Sequence, residues 1–104
     1  MKNARLEKID SHLSEKLKSK DFRKAFELEK AKVALAQKIS HLREGENLRQ
    51  SDLAKRLGVS QQFISQIETG QEKNLTLDTL LDIAKSLGRG IRISFSREAG
   101  LKVV

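Results

Sequence analysis

The stretch LAKRLGVSQQFISQIETG, which runs from Leu53 to Gly70, decides the fold of this chain. Its second half mixes amide and apolar side chains at helical spacing. Placed about 100° apart around a helix, the polar side chains centre at about 70° and the apolar ones at about 250°. The polar set is Gln61, Gln62, Ser65 and Gln66, and the apolar set is Phe63, Ile64 and Ile67. One face is therefore expected to enter a core, while the other presents short uncharged groups that both donate and accept hydrogen bonds.

Capping residues define two short helices in this stretch. Ser60 is a favoured N-cap residue, so a helix is predicted over residues 61–68, with Gly70 closing it. The preceding helix is predicted over residues 49–57. Gly58 supplies the turn between them, because glycine takes a positive φ at no steric cost.

The polar face of residues 61–68 suits the edges of bases. A merely solvated helix face usually carries Lys and Glu, whereas Asn or Gln can bond adenine N6 and N7 together in the major groove. A short capped helix that follows another helix and a glycine-containing turn is the helix-turn-helix arrangement, in which the second helix enters the groove. The alternative that this spacing leaves open is an ordinary helical hairpin with solubilising amides.

Helices are also predicted on both sides of this motif. Asp21 can cap a helix that begins at Phe22 and is ended by Gly45, and the pattern leaves open whether this helix is continuous. Thr76 or Asp78 caps another helix, for which a broad buried face is expected. That face consists of Leu77, Leu80, Leu81, Ala84 and Leu87.

The two ends of the chain carry apolar patterns of different period. Near the N-terminus, steps of three and four residues predict a helix with a narrow apolar stripe, made of Leu6, Ile9, Leu13 and Leu17. Near the C-terminus, GIRISFS alternates and predicts a half-buried β-strand with Ile91, Ile93 and Phe95 on one side. A lone strand needs a partner, so we expect a homodimer joined partly through these three residues.

The amino-acid composition limits the classes of function that this chain is expected to have. The chain has 21 Lys and Arg against 14 Asp and Glu, and its formal charge of +7 favours a polyanionic partner such as nucleic acid. It has no cysteine, which fits a reducing cytoplasm, and no apolar run approaches a membrane span. His12 and His41 lie in polar surroundings, and no metal-ligand spacing, catalytic motif or phosphate-binding glycine loop occurs. We therefore expect no enzyme activity, metal or cofactor.

The central stretch resembles the helix-turn-helix of the lambdoid phage repressor and Cro family, over about residues 33–87. The shared features are the Gln that opens the first motif helix, the Ala inside it, the Gly-Val-Ser turn and the Ile-Glu-x-Gly ending. The resemblance implies a mostly α fold, a lambda-repressor-like helix-turn-helix bundle. Here it would carry an N-terminal helical arm over residues 1–30, a DNA-binding domain over 31–88, and one C-terminal β-strand with a tail over 89–104.

Positions carried over from that family give a surface for a double-stranded DNA operator. The base- and phosphate-contacting positions are Gln50, Ser60, Gln61, Gln62, Ser65 and Gln66. The resemblance also implies that Gln50 braces the recognition helix, which is the predicted helix over residues 61–68. Arg43 and Glu68 match the Arg and Glu that pair between the first helix and the end of the recognition helix, a pair that fixes geometry more than stability.

Three basic residues extend the expected DNA surface. Arg49 stands where the family often has Thr or Ser as helix cap, so the cap must come from Asn47 or be absent, and Arg49 is expected at phosphate. Lys55 and Arg56 are also expected at phosphate, where they would strengthen binding to all sequences.

The layout of the flanks resembles that of HigA-type antitoxins. Such proteins repress their own operon and partner HigB toxins, which are ribonucleases of the RelE fold. The resemblance implies a mainly apolar toxin contact through Leu6, Ile9, Leu13, Leu17, Phe22 and Phe26. The alternative is a stand-alone phage-repressor-like regulator whose arm only extends the domain or aids oligomerisation. A weaker third alternative is a protein-binding module that no longer contacts DNA.

Overall fold

The computed structural model describes residues 20–98 and 100–104, and within them the chain forms four α-helices. These are α1 (Lys20–Gly45), α2 (Gln50–Leu57), α3 (Gln61–Glu68) and α4 (Leu77–Ser86). Helix α2 packs against both α3 and α4, and α1 packs against α3. The predicted apolar stripe of Leu6, Ile9, Leu13 and Leu17 lies outside the described residues. None of the described helices is long and apolar enough to cross a membrane.

Helix α1 is continuous, which answers the question that its sequence pattern left open. Gly45 is its last residue and not the residue that follows the helix. The left-handed conformation is taken instead by Asn47, at φ 58°, because Asn enters this region more readily than most residues with a side chain. The N–H of Asn47 donates to the carbonyl of Glu44 at 2.9 Å. Asn47 therefore closes α1, and the N-cap position of α2 is occupied by Arg49 and not by Asn47.

The turn between α2 and α3 forms as the sequence predicts. Gly58 has φ 68°, and its N–H donates to the carbonyl of Lys55 at 3.3 Å. The N–H of Val59 then donates to the carbonyl of Ala54 at 3.0 Å, which satisfies the end of α2. This turn sets the crossing of the two short helices.

The core is built mainly from branched aliphatic side chains of all four helices. The buried cluster consists of Ile39, Leu53, Ala54, Ile64, Ile67, Ile83 and Leu87. Leu53, Ile64 and Ile83 are its largest fully enclosed members. They come from α2, α3 and α4, so the recognition helix is fixed to its neighbours by packing on its apolar side.

The apolar face of α4 differs from the predicted one. Ile83 and Leu87 are buried, whereas Leu77 is 59% exposed and Leu81 is also exposed. The residues that meet the core follow steps of three and four from Leu80, as one helical stripe requires. Leu77 and Leu81 lie on the adjoining stripe, which is covered less completely than the core stripe.

The predicted C-terminal β-strand is wrong. The described residues contain no strand, and Ile91–Phe95 is an irregular segment after α4. Ile91 and Ile93 are exposed, and Phe95 is 99% exposed. The alternation in GIRISFS supplies the side-chain pattern of a strand, but strand structure also needs a hydrogen-bonded neighbour, and the described chain provides none. The fold is therefore helical throughout its described elements, and Ile91, Ile93 and Phe95 belong to no strand of the described chain.

Candidate nucleic-acid interface

Helix α3 presents its amides to solvent. The hydroxyl oxygen of Ser60 accepts a hydrogen bond from the N–H of Phe63 at 3.1 Å and so caps the helix. Ile64 and Ile67 are buried on the other side. Gln61 and Gln62 are exposed at the start of the helix, with Ser65 and Gln66 half-buried one turn later. The polar face thus keeps its donors and acceptors available to a ligand.

The end of α3 is held to α1 by a paired Arg and Glu. Arg43 donates through Nε to Glu68 Oε2 at 2.7 Å and through Nη2 to Glu68 Oε1 at 2.9 Å. The side chains are only 10% and 3% exposed. A bidentate pair of this kind fixes two elements at one distance and one angle. The hydrogen bond to Glu68 is the main reason that the pKa of Arg43 is raised.

Arg43 and Glu68 also bind two further groups. Nη1 of Arg43 donates to the carbonyl of Leu48 at 2.6 Å, so the loop before α2 is tied to the same guanidinium. Nε2 of Gln50 donates to Glu68 Oε1 at 3.3 Å. These four residues form the clamp, the name used below for Arg43, Leu48, Gln50 and Glu68. The amide of Gln50 uses one N–H in the clamp and has a second N–H that can donate to a phosphate.

The first turn of α2 carries an ion pair at the position where the family has a capping hydroxyl. Arg49 is the N-cap residue, and its guanidinium has no acceptor with which to cap the helix. Instead, Asp52 accepts from the Arg49 backbone N–H at 2.9 Å and from its Nε at 3.2 Å. This is half of a capping box, with the carboxylate as the cap. The bonds from Arg49 hold the pKa of Asp52 below its usual range.

The two basic residues at the end of α2 differ in their surroundings. Lys55 is exposed, and among the described residues no ion-pair partner is seen for it. Arg56 is also exposed, but Nη1 donates to the carbonyl of Ser86 at 3.0 Å. Arg56 therefore ties the end of α2 to the end of α4, and its other N–H groups are available to phosphate.

Three of the contacts described above were not predicted from the sequence. The Arg49–Asp52 spacing matches a capping box, with a carboxylate three residues after the N-cap, so this contact was recognisable. The hydrogen bonds from Arg43 to Leu48 and from Arg56 to Ser86 are accepted by backbone carbonyls. Every residue type has such a carbonyl, so the sequence does not indicate these contacts. Within the described part of the chain, His, Asp and Glu form no cluster that could hold a metal ion.

Similarities to known proteins agree with this geometry. The model of the helix-turn-helix family HTH_3 matches residues 39–93, which is more than half of the chain. The crystal structure of the restriction-modification controller protein C.AhdI from Aeromonas hydrophila is similar, with a TM-score of 0.53 and 29% sequence identity. The alignment covers 56% of this chain and 86% of the controller protein. No curated protein matches the sequence.

Proposed function

The chain belongs to the helix-turn-helix family, as a DNA-binding regulator of XRE type, and from this premise we propose that it represses transcription at one specific operator. Helix α3 enters the major groove, and Gln61, Gln62, Ser65 and Gln66 contact bases and phosphates. The observation that carries the proposal is an exposed amide face on a helix whose opposite face is buried and whose end is clamped. A groove-reading helix needs both accessible side chains and a fixed position.

Two copies of the chain read the operator. Helix-turn-helix regulators bind as dimers to half-sites one helical turn apart, about 34 Å between centres. An eight-residue recognition helix spans only one such half-site. We therefore expect a palindromic operator. The test is to select bound sequences from a random DNA library with the full chain. The proposal fails if no sequence is enriched.

Lys55 is expected to contribute sequence-independent affinity. The Lys55→Ala variant should bind all DNA sequences more weakly and reduce the slope of log affinity against log salt by about 1, if the ammonium neutralises one phosphate. Fluorescence anisotropy at several salt concentrations measures this slope. Lys73→Ala, which removes another exposed positive charge, is the control. An unchanged slope for Lys55→Ala would remove this residue from the DNA surface.

The Arg49–Asp52 pair gives a pH-dependent contribution to folding. Because the pKa of Asp52 is lowered in the folded state, the pair stabilises the fold at neutral pH and loses its effect as the pH falls through that lowered value. Asp52→Asn should therefore unfold at a lower temperature than wild type at neutral pH, and the difference should vanish in acid. Thermal unfolding monitored by circular dichroism checks this. A difference that persists in acid would contradict the assignment.

A second role, the neutralisation of a RelE/HigB-type toxin, is proposed for the N-terminal part of the chain. It is supported by Phe26, which is 51% exposed on α1, and by Phe22 one turn earlier on the same side. The family model matches residues 39–93, so most of α1, including Phe22 and Phe26, lies before the matched region. A stand-alone regulator is the alternative, and the similarity to a restriction-modification controller protein supports it.

Phe26→Asp separates these two proposals. The variant should lose binding to a RelE-fold ribonuclease encoded beside this gene and should keep operator binding, because Phe26 lies far along α1 from the clamp. Copurification and a gel-shift assay measure the two activities. If copurification is unchanged, Phe26 has no part in toxin contact. If no adjacent ribonuclease gene exists, the stand-alone function is correct.

A further inference from the structure

An apolar cleft of about 460 Å³ lies between α1, α4 and the C-terminal segment. Its apolar floor lies along α1 from Leu28 to Leu42 and along α4 and its end from Leu80 to Leu87, and the C-terminal segment adds Ile91, Ile93 and Leu101. Along α1 the lining extends from Leu28 to Leu42, which corresponds to about 21 Å of helix. The cleft is thus a trough about as long as a helix of four turns, and it can take one face of such a helix.

The rim of this cleft is basic. Five cationic residues line it, and no acidic side chain of the described residues does; the five are Lys32, Lys38, Arg89, Arg92 and Lys102. Two of them have acidic neighbours. Lys32 Nζ lies 3.6 Å from Glu29 Oε1, and Lys102 Nζ lies 2.5 Å from Glu98 Oε2. For the other three, no ion-pair partner is seen among the described residues.

We infer that this cleft binds an acidic amphipathic helix of another protein. An apolar stripe on such a helix would replace water over the leucines of the floor, and its acidic flanks would face Lys38 on one wall and Arg89 and Arg92 on the other. This is the helix-in-groove mode of recognition, in which apolar anchors give affinity and rim charges give orientation and specificity.

Other occupants fit less well. Nucleic acid offers phosphates but no apolar stripe for the floor, and a membrane surface cannot enter a trough between two helices. The C-terminal segment of a second copy brings Arg92 and Arg97, which would repel the rim. The binding surface is also distinct from α3, so the inference does not depend on the proposed operator.

Three synthetic peptides test the inference with the full chain. They share one apolar stripe and carry Glu, Gln or Lys at the flanking positions. At low salt the Glu peptide should bind at least about tenfold more tightly than the Gln peptide, the Lys peptide should bind least, and high salt should reduce the difference. Equal binding of the Glu and Lys peptides, or no binding of any peptide, would overturn the inference.

Charge reversal locates the contact. Arg89→Glu with Arg92→Glu should weaken the Glu peptide at least about tenfold and improve the Lys peptide. The matched control, Arg23→Glu with Lys30→Glu, makes the same charge change on exposed positions of α1 that do not line the cleft. Circular dichroism and gel-shift assays monitor the fold and DNA binding separately. Equal losses in both double variants would overturn the inference. The inference would also be overturned if the wild type were a homodimer that binds no peptide and that only the variant Arg89→Glu with Arg92→Glu dissociates.

Discussion

Arg43→Ala is expected to lower the free energy of unfolding by about 3 kcal/mol, because it leaves the carboxylate of Glu68 nearly buried without its partner. The substitution also removes the bond to the carbonyl of Leu48, so the loop before α2 loses a tie to α1. Urea unfolding of the full chain, followed by circular dichroism, measures the loss. DNA affinity should fall as well, since α3 is no longer held at its end.

Two further variants show whether the loss comes from the unpaired carboxylate. Arg43→Lys keeps the charge but cannot form the bidentate contact, so it should recover only part of the stability. Arg43→Met with Glu68→Leu removes both charges and should cost less than Arg43→Ala alone. A loss below about 1 kcal/mol for Arg43→Ala would show that the pair behaves as an exposed surface pair.

Gln61→Ala and Gln62→Ala are each expected to weaken binding to the selected operator by about 1–3 kcal/mol. An amide that bonds a base edge discriminates among bases at that position, so each variant should also tolerate substitutions there that wild type rejects. Binding to a set of operators with single base changes measures this local loss of discrimination. Unfolding should be little affected, because both side chains are exposed.

Gln37→Ala is the matched control for these two variants. Gln37 is an exposed glutamine on α1 and lies outside the helix-turn-helix. Its replacement removes an amide of the same size and should leave affinity and base preference unchanged. If Gln37→Ala weakened operator binding as much as Gln61→Ala, the amides of α3 would have no special role in recognition.

The two motif helices could be predicted closely from the sequence because their signals are local. Ser60 caps α3, Gly58 takes the left-handed turn, and Ile64 and Ile67 repeat at helical spacing. Each signal acts within one or two turns of the chain, so neighbouring residues are sufficient to determine it. The pairing of Arg43 with Glu68 joins residues far apart in sequence and was predicted from the family resemblance alone.

Two of the wrong predictions concern features that depend on distant partners. The alternation of Ile91, Ile93 and Phe95 describes side chains, whereas a strand is made by backbone bonds to another segment. The exposure of Leu77 and Leu81 depends on which neighbour covers that side of α4, and the helical period gives no information on the neighbour. The third wrong prediction is local. Gly45 and Asn47 both tolerate the left-handed conformation, so residue type alone did not show which of them would close α1.

Recognition of one specific operator requires that the amide face of α3 read base sequence. The measurement is the ratio of affinities for the selected operator and for random DNA, determined at one salt concentration for wild type and for Gln61→Ala with Gln62→Ala. The double variant should lose most of this ratio and keep the wild-type affinity for random DNA, because phosphate contacts remain. Equal losses on both DNAs would contradict it.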